Sequence, residues 1–213
     1  MRNDHLRWAG IGCAVLGTVL TALVVGWRPL LAYDEQIARD LHAHAVAHRG
    51  VTHAMRVLTD WVWDPWTMRA LAALACVLLW RRGDRERALR VAVATVVATA
   101  VQQGLKALVG RERPVWSDPV DSAHYAAYPS GHAMTATVVC GLLLWLLPRP
   151  APAWAPVAWA VAAVSVLGVG FTRIYLGVHW LSDVVAGWLL GVTVVALATS
   201  GPVRRRGSCP AGR

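Results

Sequence analysis

Long uncharged runs alternate with short charged segments along this chain. Stretches without Asp, Glu, Lys or Arg cover residues 8–27, 91–105, 133–148, 150–172 and 184–203. A helix needs about 20 apolar residues to cross a bilayer; three of these runs reach that length and two come close. A weaker sixth candidate covers 63–80, where Asp64 and Arg69 lie near its start. The pattern predicts an all-α, polytopic membrane protein with six transmembrane helices.

Composition and charge support this interpretation and predict the orientation of the chain in the membrane. The 213 residues are 56% hydrophobic and only 15% charged, which excludes an ordinary soluble domain. The net charge of +9 would suggest a nucleic-acid partner in a soluble protein, but here it indicates topology. With six spans and the N-terminus inside, segments 1–7, 81–90, 148–153 and 204–213 hold 12 arginines and 3 acids. Both termini are therefore predicted inside, with a single membrane domain at 1–203, a retained first helix and a short basic cytoplasmic tail at 204–213.

The first predicted outer segment has apolar and polar residues at helical spacing over 34–59. It is interpreted as an amphipathic helix along the membrane surface, with no assigned role. His44 and His48 are four residues apart, which is a possible metal pair, but no third ligand is near and a solvated face is preferred. The four cysteines form no CxxC pair and suggest neither a disulfide framework nor a zinc site.

Three polar clusters lie where predicted spans end or begin. The first holds Lys106, the only lysine beside 20 arginines, followed by Arg113 and Pro114. A lysine at a helix end can simply reach toward the membrane surface. Its retention in an arginine-rich sequence nevertheless favours a specific contact, because Lys and Arg differ in shape and hydration.

The second cluster, at 129–132, predicts the start of the fourth span. Pro129 stiffens the turn, Ser130 suits the N-cap position and Gly131 permits close approach of a ligand. His132 then lies in the first helical turn. Free backbone N–H groups at such a helix start can bind an anion, although the same turn by itself is often only a cap.

The third cluster, at 172–183, contains Arg173, His179 and Asp183. The sixth span is predicted to begin near residue 178, which puts His179 and Asp183 on one helical face. Asp183 can then accept the imidazole N–H and leave the other ring nitrogen as a nucleophile or base. Because an even number of crossings separates the clusters, all three are expected on the same, outer face of the membrane.

This set of groups matches phosphoryl chemistry. Three cations and a helix start can hold a phosphoryl group, whose charge is spread over its oxygens in the transition state. One histidine backed by a carboxylate suits nucleophilic attack, and a second suits protonation of the leaving oxygen. No carboxylate cluster is available for magnesium. The residues therefore predict metal-independent hydrolysis of a phosphate ester through a phosphohistidine, with no cofactor.

The spacing of these residues resembles the three-part signature of the type 2 phosphatidic acid phosphatase superfamily. Six residues separate Lys106 from Arg113-Pro114, and 129–132 reads PSGH. Five residues separate Arg173 from His179, and three more separate His179 from Asp183. The motif segments are 106–114, 129–132 and 172–183. The third usually opens with Ser, and here it opens with Thr172, which keeps the hydroxyl.

The resemblance implies a role for each matching residue. His179 resembles the nucleophile, Asp183 its orienting partner and His132 the general acid. The residues that resemble the phosphate cradle are Lys106, Arg113, Ser130, Gly131 and Arg173. A lipid phosphatase of the bacterial plasma membrane is implied, with its site outside and with the bilayer and a lipid phosphate as partners.

Several alternatives stay open at this point. The favoured substrate is an undecaprenyl-type diphosphate, against phosphatidylglycerol phosphate or phosphatidic acid, and the phosphate could pass to an acceptor lipid instead of water. A small transporter is disfavoured because the charges gather at one face. Vanadate-dependent oxidation belongs to a soluble branch of the superfamily. The oligomeric state and the role of His124 are not assigned.

Overall fold

A computed structural model describes residues 2–148 and 150–201; the predicted tail at 204–213 lies outside them. Over the described residues the regular secondary structure is entirely helical, with no strand, and a long loop covers 110–130. In chain order the α-helices are α1 (Arg2–Val24), α2 (Arg28–Ala47), α3 (Arg49–Val57), α4 (Pro65–Arg81), α5 (Arg85–Val109), α6 (Gly131–Trp145), α7 (Ala155–Tyr175) and α8 (Leu181–Thr199). A π-helical turn, Leu58–Val62, lies between α3 and α4.

Five segments within the described part are long and apolar enough to cross a membrane. They are Asp4–Val24, Arg49–Arg81, Arg85–Val109, Ala155–Tyr175 and Leu181–Thr199. The helix α6 is also apolar but has only 15 residues. The all-helical prediction is confirmed for the described residues, while six crossings and inner termini stay predictions.

The helix α6 is the centre of the bundle, in contact with α4, α5, α7 and α8. Its apolar side chains point in every direction, so they need partners on all sides. Met134, Val138, Val139 and Leu142 are each no more than 1% exposed. The outer helices instead present apolar side chains outward, such as Val96 on α5 and Val164 on α7, as expected of a lipid-facing surface.

The outer segment differs from the single helix predicted over 34–59. It is two helices, α2 and α3, separated at His48, whose backbone leaves the helical region. The buried face of α2 carries Asp34 and His42 and contacts α7 and α8. The polar groups on this face have partners inside the protein. The amphipathic pattern of α2 therefore arises from packing against the helix bundle.

Two glycines with positive φ end the helices that lead into the polar clusters. Gly110, at φ 57°, closes α5 after Lys106, and Gly177, at φ 67°, follows α7. Both adopt the left-handed conformation that glycine takes without steric penalty. Because of the turn at Gly177, α8 begins at Leu181 and His179 precedes the helix, so the predicted start near residue 178 is wrong.

Candidate active site

The three polar clusters converge at one end of the bundle. The last turn of α5 supplies Lys106, the last turn of α7 supplies Arg173, and α6 and α8 begin there. The starts of α6 and α8 are tied together, since the backbone N–H of Ser130 donates to the carbonyl oxygen of Asp183 at 2.9 Å.

The His179 ring is held at both nitrogens. Its Nδ1 lies 3.3 Å from Oδ2 of Asp183, and its Nε2 lies 3.1 Å from Nη1 of Arg113. Because a guanidinium can only donate, Nε2 is the acceptor and the ring proton is on Nδ1, directed at the carboxylate. The predicted contact between His179 and Asp183 is present although His179 lies outside the helix.

Burial and positive charge keep this histidine neutral. Burial, followed by the nearby charges of Arg113, Arg173 and Lys106, holds the pKa of His179 well below its ordinary value of 6.5. Burial and the charge of Arg173 also lower the pKa of Arg113 to about 10. At neutral pH Nε2 of His179 is therefore unprotonated and accepts from Arg113, whose guanidinium stays charged.

Two of the cations donate hydrogen bonds to backbone carbonyls of the loop before α6. Lys106 Nζ donates to the carbonyl of Ala126. Arg113 donates to the carbonyls of Tyr125 at 2.9 Å and His124 at 3.2 Å, and to that of Val178 at 2.5 Å. His124, which had no assigned role, thus contributes its backbone carbonyl to this contact.

Among the residues that the structure describes, three buried polar atoms at the site have no hydrogen-bond partner. They are Oγ of Ser130, Nε of Arg173 and Oδ2 of Asp121. Ser130 occupies the N-cap position of α6, as predicted, but its hydroxyl makes no capping bond. Arg173 also donates to Oγ1 of Thr59 at 3.2 Å and lies 3.7 Å from Oδ2 of Asp121. Unpaired donors within a group of cations suit an oxyanion.

The remaining motif residues face the same region. A Cβ on Gly131 would lie 2.5 Å from Nε2 of Gln102, so a larger residue here would require the Gln102 side chain on α5 to move. His132 is partly buried and within electrostatic range of Arg173, His179, Arg113 and Lys106.

Comparison with known proteins identifies the family. A sequence model described as the PAP2 superfamily matches residues 87–206. The chain belongs to the PAP2 superfamily. This confirms the resemblance found from the motifs.

Curated relatives carry the names of lipid phosphatases. One is an undecaprenyl-diphosphatase of Sulfolobus acidocaldarius, 28% identical over 68% of this chain and 68% of the relative. Another is a decaprenylphosphoryl-5-phosphoribose phosphatase of Mycobacterium tuberculosis, 33% identical over 71% of this chain and 77% of the relative. Phosphatidylglycerophosphatase B of Bacillus subtilis is 32% identical over 44% of this chain and 47% of its own length.

A solved structure shares the fold. The crystal structure of a transmembrane PAP2-type phosphatidylglycerolphosphate phosphatase from Bacillus subtilis superposes with a TM-score of 0.71, covering 90% of this chain and 94% of that one. Sequence identity is 21%, so the likeness concerns the fold alone.

Two residues at this PAP2 site were not selected from the sequence. Arg111 lies 2.7 Å from Oδ1 of Asp183 and 2.8 Å from Oδ2 of Asp34. Arg111 could have been noticed as a second arginine in the GRERP run of the first motif. Asp34 had no comparable signal, because it lies 77 residues from Arg111 in the chain.

The possible metal pair on α2 has other contacts. The rings of His44 and His48 stack with centroids 3.9 Å apart, and Nδ1 of His44 lies 3.0 Å from the hydroxyl of Tyr175. Within residues 2–148 and 150–201, no group of three His, Cys, Asp or Glu side chains is arranged to hold a metal ion.

Proposed function

We propose that the protein is a lipid phosphate or diphosphate phosphatase that acts through a phosphohistidine on Nε2 of His179. The observation that carries this proposal is the state of the His179 ring. It is neutral, its Nδ1 proton is directed at Asp183, and its Nε2 lone pair lies among cations. Unpartnered donors of Ser130 and Arg173 complete a setting suited to a phosphoryl group.

The reaction then proceeds in two steps. Nε2 of His179 attacks phosphorus, the bond to the leaving oxygen breaks, and His132 gives that oxygen its proton. Water next attacks the phosphohistidine, His132 takes a proton from the water, and inorganic phosphate leaves. Nε2 of His179 and a phosphoryl oxygen of the substrate would compete for the same Arg113 N–H. In this proposal Arg113 turns from Nε2 toward the phosphoryl oxygen as the substrate enters.

Phosphate binding in this proposal relies on protein groups alone. Lys106, Arg113 and Arg173, the hydroxyl of Ser130 and the backbone of Gly131 form the cradle. The carboxylates at the site are already engaged with protein groups: Asp183 accepts from Arg111 and from the backbone of Trp180, and Oδ2 of Asp121 lies 3.7 Å from Nη1 of Arg173. A divalent cation would meet three positive side chains, whereas Mg²⁺ requires oxygen ligands. The proposed reaction therefore needs no metal and no cofactor.

We place the site at the outer face of a bacterial plasma membrane. Lys106 lies near the C-terminal end of α5, while Arg85, Arg87 and Arg90 lie in its first turns. At 1.5 Å per residue the two ends are separated by about 30 Å, the thickness of the hydrocarbon core. The positive-inside rule puts the arginine-rich turn in the cytoplasm and hence the site outside.

The favoured substrate is an undecaprenyl-type diphosphate. Two of the relatives described above are named for polyprenyl substrates and one for phosphatidylglycerophosphate. The cradle recognises the phosphoryl group that all these lipids share, so phosphatidylglycerol phosphate and phosphatidic acid are the alternatives. Transfer to an acceptor lipid alcohol would use the same phosphohistidine.

The test is phosphate release by the purified protein in detergent with EDTA. The panel contains a prenyl diphosphate, phosphatidylglycerol phosphate, phosphatidic acid and a soluble phosphate ester. His179→Ala is compared with His5→Ala, a matched change at an exposed position on α1. We expect release by the wild type and His5→Ala, none by His179→Ala, and inhibition by vanadate, which adopts the geometry of the transition state.

Three results would contradict parts of the proposal. Near-normal phosphate release by a folded His179→Ala protein would exclude His179 as the nucleophile. Activity lost in EDTA and restored by magnesium would exclude the metal-independent route. Loss of the phosphoryl group from the substrate only when an acceptor alcohol is supplied, with that group recovered on the acceptor lipid, would replace hydrolysis by transfer.

A further inference from the structure

Arg111 connects two buried carboxylates from distant parts of the chain. Its Nη1 lies 2.7 Å from Oδ1 of Asp183, and its Nη2 lies 2.8 Å from Oδ2 of Asp34. The side chains of the two aspartates are 0% and 1% exposed, and that of Arg111 is 10% exposed. All three charged groups are thus removed from solvent. Charge–charge interactions are stronger in the protein interior than in water.

Asp34 also binds the first turn of α8. Its Oδ1 accepts from the backbone N–H of Ser182 at 2.9 Å, and its Oδ2 contacts the Ser182 hydroxyl. That hydroxyl in turn lies 2.7 Å from Nη1 of Arg111. Asp34 comes from α2, so a helix outside the central bundle reaches the segment that carries Asp183.

These contacts leave one oxygen of Asp183 for the reacting histidine. Arg111 occupies Oδ1, while Oδ2 faces Nδ1 of His179 and accepts from the backbone N–H of Trp180 at 3.0 Å. Rotation of the carboxylate would break the bond to Arg111. The guanidinium therefore fixes the plane in which Asp183 meets the imidazole.

The charges add to the same effect. Arg111 alone would neutralise Asp183, and the positive ring of a phosphorylated His179 would then lack a compensating charge. With Asp34 present, the two carboxylates and one guanidinium carry one negative charge in total. That charge can balance the ring as it becomes positive, and a balanced buried charge is favoured over an unpaired one.

We propose that Asp34 and Arg111 are positioning residues for the phosphoryl transfer. They orient the Asp183 carboxylate and supply the net negative charge that stabilises phosphorylated His179. This inference rests on the proposed function and names the groups that support its nucleophile. Neither residue touches the substrate, so both act through Asp183.

The alternative is that Asp34 and Arg111 only hold α2 against the bundle. We test the two explanations with Asp34→Asn, Arg111→Gln and the double variant. Asp40→Asn is the matched control, because Asp40 is exposed on the same helix. Activity is measured in detergent with the best substrate of the panel, separating kcat from KM, with vanadate inhibition and melting temperature measured in parallel. His179→Ala is assayed in the same series.

For Asp34→Asn we expect kcat to fall by about 10- to 100-fold, the size of loss found when residues that orient metal-binding histidines are removed. KM should stay within about threefold, because the cradle is intact. The vanadate inhibition constant should rise roughly in step with the loss of kcat, because vanadate adopts the geometry of the transition state. The double variant restores the net charge around Asp183, so its kcat should be no lower than that of Asp34→Asn. Such non-additivity is the signature of groups that act together.

Several outcomes would overturn the inference. A folded Asp34→Asn protein with wild-type kcat would overturn it. A double variant whose loss of kcat equals the product of the two single losses would also overturn it. If Asp34→Asn does not fold, Ser182→Ala removes only the bridging hydroxyl, and an unchanged kcat there would count equally against it. Activity that is absent in the wild type, or unaffected by His179→Ala, would instead contradict the proposed function itself.

Discussion

Gly187 is the position where α8 comes closest to the start of α6. A Cβ built there lies 2.8 Å from the backbone oxygen of Ser130, 3.0 Å from Cβ of Ala133 and 3.0 Å from the backbone nitrogen of Met134. Two of these atoms belong to the backbone, so no rotation of a side chain can relieve the contact. Gly187→Ala must therefore push the two helices apart at the turn that carries Ser130, Gly131 and His132.

The size of the effect follows from these distances. Ordinary contact with a Cβ begins at 3.4 Å, so the backbone near Ser130 must move by about 0.5 Å. A displacement of about 1 Å can reduce a rate about 100-fold, so we expect kcat to fall by about tenfold. Overpacking of this kind costs about 1–3 kcal/mol of stability. For a chain of this size each kcal/mol lowers the melting temperature by about 2–4 °C.

Gly12→Ala on α1 is the matched control, since a Cβ at Gly12 meets nothing within 4 Å. It should leave kcat unchanged and raise helix stability by up to about 1 kcal/mol. Both variants are compared by phosphate release and by thermal unfolding in one detergent. A Gly187→Ala protein with wild-type kcat and melting temperature would refute the link between this helix contact and the site.

Three further predictions concern the site and the helix beside it. Because burial and the surrounding cations lower the pKa of His179, the ring stays neutral as pH falls through 6.5. After correction for substrate titration, kcat/KM should decline only at lower pH, and an acid limb centred near 6.5 would contradict this. Asp183→Asn keeps the shape but favours the wrong tautomer, and kcat should fall by about 100- to 10,000-fold without loss of folding; a smaller loss in a steady-state assay would argue against an orienting role. Thr21→Val leaves the hydroxyl of Tyr128, now 2.7 Å from the Thr21 hydroxyl, without its partner, which should cost about 1–3 kcal/mol in thermal unfolding. Thr18→Val, an exposed change on the same helix, should cost less, and equal losses would show that the bond to Tyr128 is unimportant.

Local sequence was sufficient for the helices and for the motif residues. Hydrophobic run length identified the helices now seen as α1, α5, α7 and α8, because a membrane-length helix is set mainly by its own composition. Motif spacing identified His179, Asp183 and the nearby cations, and the structure brings their side chains to one end of the bundle. Their catalytic roles and the sidedness of the membrane stay predictions.

Turn geometry changed several boundaries. The outer helix predicted over 34–59 divides at His48, and His179 stands before α8 because Gly177 turns the chain first. These details depend on one or two backbone torsions, to which hydrophobic periodicity is insensitive. The weak span predicted at 63–80 is now α4, which begins at Pro65 with Asp64 as its cap.

The sequence by itself determined the class of protein, the family and the motif residues, because each depends on composition or on short spacings within one segment. Only the tertiary structure decided that Arg111 lies between Asp34 and Asp183 and that Ser130 and Arg173 keep unpaired donors. Asp34 and Arg111 are 77 residues apart, and their contact exists only once α2 has packed against the start of α8. Buried charges take their partners from whichever segments the fold brings together, and no local pattern records that choice.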